Sequence, residues 1–212
     1  MGTEFIETPE QTIHRLSPQV TPQRLQKMQK VIEGRTMNVA VIMENIYDRG
    51  NVSAVMRSAE AFGFINFCVI SPPGSRFKKA NRVTQGADKW LRISRYNSTT
   101  EALCSYKSQG FRVIATHLDA PKSIYEVDFT VPTALVFGNE KEGVSEEALN
   151  LCDETVIFPM SGFIQSFNIS VAAALCLHQA FLNRKNILGK NGDLSKEEKK
   201  QLLAEYLLKD RS

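Results

Sequence analysis

Five short apolar segments punctuate the chain: NVAVIME (38–44), NFCVIS (66–71), FRVIATHL (111–118), PTALVFG (132–138) and TVIFPM (155–160). Runs of this length, rich in β-branched residues and bounded by turn formers, read as buried strands. Helical signals fall between them. Asn51 can cap a helix running to Gly63, and Ser98 with Glu101 forms a capping box for a helix ending at Gly110. Ser145 caps a short helix, and a long one runs from about Ser166 to Asn186 with Ala172, Ala173 and Ala174 as close-packing small residues. Strand–helix alternation of this kind predicts an α/β fold with a mainly parallel sheet. Two further helices fall outside the alternation. One opens at Thr21-Pro22 and closes at Gly34; the other opens at the Ser195/Glu198 capping box and carries Leu202, Leu203, Tyr206 and Leu207. The expected organisation is a helical arm over 1–36, an α/β domain over 37–189 and a C-terminal helix over 190–212.

Composition removes several classes. At 212 residues and 42% hydrophobic, the chain is an ordinary globular sequence, and no apolar run approaches the ~20 residues of a membrane helix. The start, MGTEFIETPE, has three acids and no basic region, so no signal peptide is expected, and Ile6 breaks the myristoylation pattern. A cytoplasmic protein without membrane contact is expected. Cys68, Cys104, Cys152 and Cys176 lie far apart in apolar stretches and read as buried reduced thiols. His14, His117 and His178 are equally scattered, so neither a metal nor a histidine relay is expected.

Charge is informative once located. The chain is +3 overall, but residues 71–95 hold Arg76, Lys78, Lys79, Arg82, Lys89, Arg92 and Arg95 against the single acid Asp88, with Phe77 and Trp90 interleaved. The rest of the chain is therefore net acidic. A concentrated positive segment suits a phosphate backbone, although a solvated basic loop accounts for it equally well. Arg184, Lys185 and Lys190 close the long helix, where cations also favour the helix dipole.

In open α/β sheets the site lies beyond the carboxyl ends of the strands. Three loops stand out there: ENIYDRGNVSAVMRSA with Asn51 and Arg57, FGNEKEGVS with Gly138, Glu140 and Gly143, and IFPMSGFIQSFNISVAAAL with Ser166, Phe167 and Asn168. Taken singly, Asn51, Ser166 and Asn168 read as helix caps, Arg57 as a surface ion-pair residue, and the glycines as turn residues. Neither G-x-G-x-x-G nor G-x-x-x-x-G-K-[ST] nor G-x-S-x-G occurs, which removes the standard dinucleotide, P-loop and nucleophile-elbow signatures.

Taken together, N-x5-R, FGNEKEGVSEEAL and IFPMSGFIQSFNISVAAA resemble, in this order, the three motifs of the SPOUT class of RNA 2′-O-methyltransferases. The likeness covers roughly residues 39–186 and is greatest to the TrmH type, which methylates the tRNA D-loop guanosine at position 18. The resemblance implies a deep trefoil knot in the C-terminal part of the α/β domain, an exception to the rule that chains do not thread loops. It also implies a homodimer, S-adenosylmethionine as cofactor and tRNA as substrate. Carried over residue by residue, it makes Arg57 the catalytic arginine and Asn51 the essential asparagine, with Glu140, Ser166 and Asn168 around the reacting centre. Thr116, Gly138, Asn139, Gly143, Ile157, Met160 and Phe167 fall on cofactor positions, Phe167 standing where the family usually has leucine. Arg24, Lys27, Lys78, Lys79, Arg82 and Arg184 are the expected RNA contacts. The N-terminal helix is poorer in arginine than is usual for the type, with only Arg24, Lys27 and Lys30, and Leu182 replaces a family arginine. The alternatives are methylation of another tRNA or rRNA ribose, or a knotted RNA-binding factor without catalysis; intact Asn51, Arg57, Glu140 and Asn168 weigh against the latter.

Overall fold

Alternate side chains of one strand, Thr36–Glu44 (β1), enter two different cores. Val39, Val41 and Met43 join one buried cluster, and Ala40 and Ile42 the other. A strand covered on both faces needs apolar residues at every position, which explains why NVAVIME does not alternate.

The computed structural model describes residues 7–71 and 86–210. Beyond β1, its strands are Phe64–Ile70 (β2), Arg92–Tyr96 (β3), Arg112–Thr116 (β4), Lys122–Ser123 (β5), Thr133–Phe137 (β6) and Glu154–Ile157 (β7). They form one sheet in the order β3-β2-β1-β6-β4-β7-β5. The β2–β3, β1–β6, β4–β6, β4–β7 and β5–β7 pairs are parallel. The expected α/β class and parallel sheet are present, and the sheet has two strands more than the five apolar runs predict. β3 arises inside the segment taken as basic loop, where charged Arg92 and Arg95 flank Ile93; in register with Asn66–Ile70 it forms the sheet edge.

Helices cover both faces. Arg49–Ala61 (α3) supplies Val52, Val55, Met56 and Ala59, and Ile169–Leu188 (α6) supplies Ala173, Cys176, Leu177 and Ala180, to the core below Val39, Val41 and Met43. Thr99–Ser108 (α4) and Glu146–Leu151 (α5) cover the other face through Ala102, Leu103, Tyr106 and Ala148. This body spans Met37–Asn191. Within it Arg184 is wholly buried: its guanidinium donates to Phe129 O at 2.8 Å and to Asn191 O at 3.1 and 3.3 Å. Asn183 Oδ1 accepts from Phe129 N at 3.0 Å, and Asn191 Nδ2 donates to Phe62 O at 2.9 Å. The expected RNA contact at Arg184 is therefore corrected. Its donors hold the end of α6 to the chain leading into β6, and a guanidinium enclosed this way does not reach a phosphate.

The other unit combines the segment up to Thr36 with that from Gly192. It contains Pro9–Leu16 (α1), Pro22–Glu33 (α2) and Lys196–Lys209 (α7), with α7 packed on both others. The two terminal helices expected as separate arms thus belong to one helical unit with a third helix, which the sequence reading omits. Arg24 pairs with Asp210 at 2.5 Å, Lys199 with Glu33 at 2.5 Å, and the buried Arg35 guanidinium lies 6.0 Å from the Tyr206 ring centre. Gly192 is required by packing, since a Cβ there would come 1.9 Å from Glu33 O.

Cys68 and Cys176 are buried free thiols, each pushed up to about 12 by burial. Cys104, expected inside, is exposed on α4, and Cys152 is half-buried. Among the described residues no helix is long and apolar enough to cross a membrane.

Candidate functional site

The carboxyl edge of β1 turns sharply. Asn45 adopts the left-handed conformation at φ 52°, which asparagine tolerates better than most residues, and the chain enters α3 at Arg49. The helix is capped by Asp48, whose side chain accepts from Gly50 N at 2.7 Å. Asn51, expected to be the cap, sits instead in the first turn. Its amide is thereby free of capping and reaches across to the loop after β6, where Nδ2 donates to Glu140 Oε1 at 2.8 Å.

Glu140 is the hub. Its Oε2 accepts from Tyr47 N at 3.0 Å, and its Oε1 accepts from Asp48 N at 3.2 Å as well as from Asn51. Partial burial acts to raise the pKa of this carboxyl, but the Asn51 amide and the Tyr47 and Asp48 N–H groups outweigh it and hold Glu140 below its ordinary value. A carboxylate so satisfied is a clamp and a poor proton acceptor. On the other side, Asn51 Oδ1 accepts from Asn168 Nδ2 at 3.3 Å. Asn168 caps α6, its Oδ1 accepting from Ser170 N at 2.9 Å and Ser170 Oγ at 2.6 Å. Three loops, distant in sequence, thus meet in the chain Glu140–Asn51–Asn168.

The loop carrying Glu140 is rigid for a local reason. Asn139 and Gly143 exchange backbone hydrogen bonds at 2.8 and 2.9 Å, and Asn139 Nδ2 donates to Asn45 O at 2.7 Å. The strands of this turn approach so closely that a Cβ on Gly138 would lie 2.2 Å from the Gly143 carbonyl, while Gly143 itself has φ 73°. Only glycine fits the first position, and the second favours it strongly.

Beneath the loop lies a second carboxylate that the sequence reading passes over. Glu44 ends β1 and is 1% exposed. Its Oε1 accepts from Thr99 Oγ1 at 2.7 Å and Ser145 Oγ at 2.6 Å, and its Oε2 accepts from Ser145 N at 3.0 Å. Ser145 also caps α5 through Ala148 N. The available signal was a lone acid closing an otherwise apolar strand.

The expected cofactor positions fall side by side. β6, β4 and β7 are neighbours, so Gly138, Thr116 and Ile157 stand at the carboxyl ends of three adjacent parallel strands. Thr116 Oγ1 donates to Val136 O at 3.1 Å. Phe158 meets Phe167 edge to face at 5.9 Å and Tyr125 at 5.5 Å, and Met160 is half-buried. A tight backbone turn and a cluster of Tyr125, Phe158 and Phe167 rings are the kinds of surface that suit an uncharged purine ring. Arg57 is exposed on α3, six residues beyond Asn51, and Ser166 is exposed two residues before Asn168. Ser166 does not join the Glu140–Asn51–Asn168 chain. Lys27 is exposed and Arg24 is held by Asp210, whereas Lys78, Lys79 and Arg82 lie outside the described residues.

Comparison with known proteins gives a consistent result. Residues 38–178 match the SpoU rRNA Methylase family. The chain is 35% identical over 190 residues to the tRNA (guanosine(18)-2′-O)-methyltransferase of Escherichia coli K12, covering 88% of this chain and 82% of that protein. Its fold is similar to the crystal structure of the A. aeolicus TrmH/SpoU tRNA modifying enzyme, with a TM-score of 0.80 and 33% identity over 89% of this chain and 96% of that one. It is also similar to the SpoU methyltransferase AviRb from Streptomyces viridochromogenes in complex with AdoMet, with a TM-score of 0.66 and 27% identity over 74% of this chain and 64% of that one. The chain belongs to the SpoU methylase family.

Proposed function

We propose that the protein transfers a methyl group from S-adenosylmethionine to a ribose 2′-oxygen of tRNA in the cytoplasm, the D-loop guanosine at position 18 being the target. The observation that carries this reading is the Glu140–Asn51–Asn168 chain, which gathers three loops at the carboxyl edge of the sheet. The named activity of the E. coli relative supports the substrate, and the AdoMet complex of AviRb supports the cofactor.

The cofactor supplies an electrophilic methyl on a sulfonium. Thr116, Gly138, Asn139, Gly143, Ile157, Met160 and Phe167 would hold it, largely through backbone groups and apolar contact. With so reactive a donor, alignment of the ribose oxygen decides the rate, and orientation of this kind can supply up to about 7–11 kcal/mol. Asn51 and Asn168, each fixed by a partner on another loop, orient the ribose. Arg57 is exposed on the same helix, six residues beyond Asn51. The guanidinium of Arg57 supplies a positive charge for the developing alkoxide. The proton then passes to solvent or to an RNA phosphate, since Glu140 is already occupied by three donors.

Phe163, 108% exposed, Ile164, 74% exposed, and Val171, 45% exposed, present apolar surface around the start of α6, which supports a homodimer through this region. The order β1-β6-β4-β7-β5, in which later strands enter between earlier ones, supports the knotted path. The test is transfer of labelled methyl from S-adenosylmethionine to unmodified tRNA, followed by mapping of the product. A 2′-O-methylguanosine in the D-loop is expected. Another modified ribose would overturn the position, and no transfer would overturn the activity.

A further inference from the structure

Tyr47 stands at the mouth of the site with its side chain 83% exposed, an unusual placement for an aromatic ring on a loop this well tied down. Its own N–H is held by Glu140 Oε2 at 3.0 Å, on the carboxylate whose other oxygen holds Asn51. Lys141, from the loop that carries Glu140, places Nζ 5.8 Å from the centre of the Tyr47 ring. The backbone of Lys141 is fixed in turn, its N–H donating to Asn139 Oδ1 at 2.8 Å. An exposed aromatic face and a cation therefore stand together on tethered main chain, beside the asparagine that orients the ribose. The hydrogen bonds that assemble the site also fix the main chain that carries this pair.

We infer that Tyr47 is a stacking platform for an unstacked base of the RNA substrate, with Lys141 serving the adjacent phosphate. The inference rests on the RNA 2′-O-methyltransferase reading above. A ribose hydroxyl brought in line with a methyl donor belongs to a nucleotide pulled out of its helical stack, and its base or its neighbour's base then offers a free π face. Proteins recover that lost stacking on Tyr, Phe, Trp or His. The main chain that carries the ring is held before binding by Glu140, so the loop itself need not be ordered on contact. The alternative occupant, the cofactor's adenine, is disfavoured by charge: S-adenosylmethionine is a net cation, so a polyanion gains far more from Lys141.

The test compares wild type with Tyr47→Ala, Tyr47→Phe and Lys141→Ala. Binding of an unmodified tRNA transcript is measured with S-adenosylhomocysteine present, alongside KM and kcat for transfer. Tyr47→Ala is expected to weaken tRNA binding and raise its KM about tenfold. Tyr47→Phe should stay within about twofold of wild type, and cofactor affinity by calorimetry should be unchanged in both. Lys141→Ala should reduce the salt slope of tRNA binding by about one. The inference is overturned if Tyr47→Ala binds tRNA like wild type, if cofactor affinity is what falls, or if the variant's oligomeric state changes. Should wild type transfer no methyl to tRNA, the functional reading fails separately. Stacking is then read from a single-stranded oligonucleotide containing 2-aminopurine. Quenching by wild type and not by Tyr47→Ala supports the platform, and equal quenching by both refutes it.

Discussion

Glu140 and Glu44 each accept three hydrogen bonds, and both grip the loop between β6 and α5, yet one faces solvent and the other is 1% exposed. The difference lies in what loses its partner when each is removed. Around Glu140 the Tyr47 and Asp48 N–H groups and the Asn51 amide can turn to water. Around Glu44 the Thr99 hydroxyl is buried and Ser145 is half-buried, so replacement by water is restricted there. Equal hydrogen bonding thus serves positioning in one place and cohesion in the other, and burial decides which.

The largest effect should come from the buried member. Glu44→Ala takes the acceptor from the buried Thr99 hydroxyl and from the half-buried Ser145 hydroxyl and N–H, and at about 1–3 kcal/mol per orphaned buried group the loss should reach roughly 2 kcal/mol or more. Urea unfolding measures it, and a loss below about 1 kcal/mol would break the contrast. Glu140→Ala should do the reverse. A displacement of about 1 Å can cost on the order of 100-fold in rate, so methyl transfer should fall by that order while the unfolding midpoint barely moves. A large midpoint drop without a rate defect would make Glu140 a second Glu44.

Removing one donor sharpens the comparison further. Thr99→Val keeps the shape but deletes the hydroxyl that reaches Glu44 Oε1, and should cost about 1 kcal/mol with the rate unchanged. The smallest effect is expected on the acid side. Partial burial would raise the Glu140 carboxyl, but the hydrogen bonds from Asn51, Tyr47 and Asp48 hold it below its ordinary value. Its stabilisation is complete above the ordinary carboxylate range and is lost as pH falls through the lowered value. The difference in melting temperature between wild type and Glu140→Gln should therefore be constant from neutral pH down to that range, then shrink. A difference that shrinks already near neutrality would contradict a lowered carboxyl.

Local rules made much of this molecule legible. Thr21, Ser98, Ser145 and Ser195 cap the helices they were expected to cap, and Gly34 and Gly63 close theirs. Most of the failures share one physical origin, competition settled by tertiary partners. Asp48 and Asn51 are both good caps three residues apart, and the deciding acceptor for Asn51, Glu140, lies 89 residues away. Arg184 reads as a surface cation at a helix end until the carbonyls of Phe129 and Asn191 enclose it. β3 escaped because a five-residue edge strand carrying two arginines has the composition of a loop. Glu44 escaped because nothing adjacent in sequence announces Thr99 or Ser145.

The span of the Glu140–Asn51–Asn168 chain has a consequence for how the protein matures. Asn51 must find partners 89 and 117 residues further along. Pairings that remote form late and slowly, because a large loop must close before either contact repays it. During synthesis the β1–α3 turn emerges long before its clamp exists, so a partly made chain carries Asn51 with nothing to aim it. The site is therefore assembled only once residues as far on as Asn168 have joined the fold.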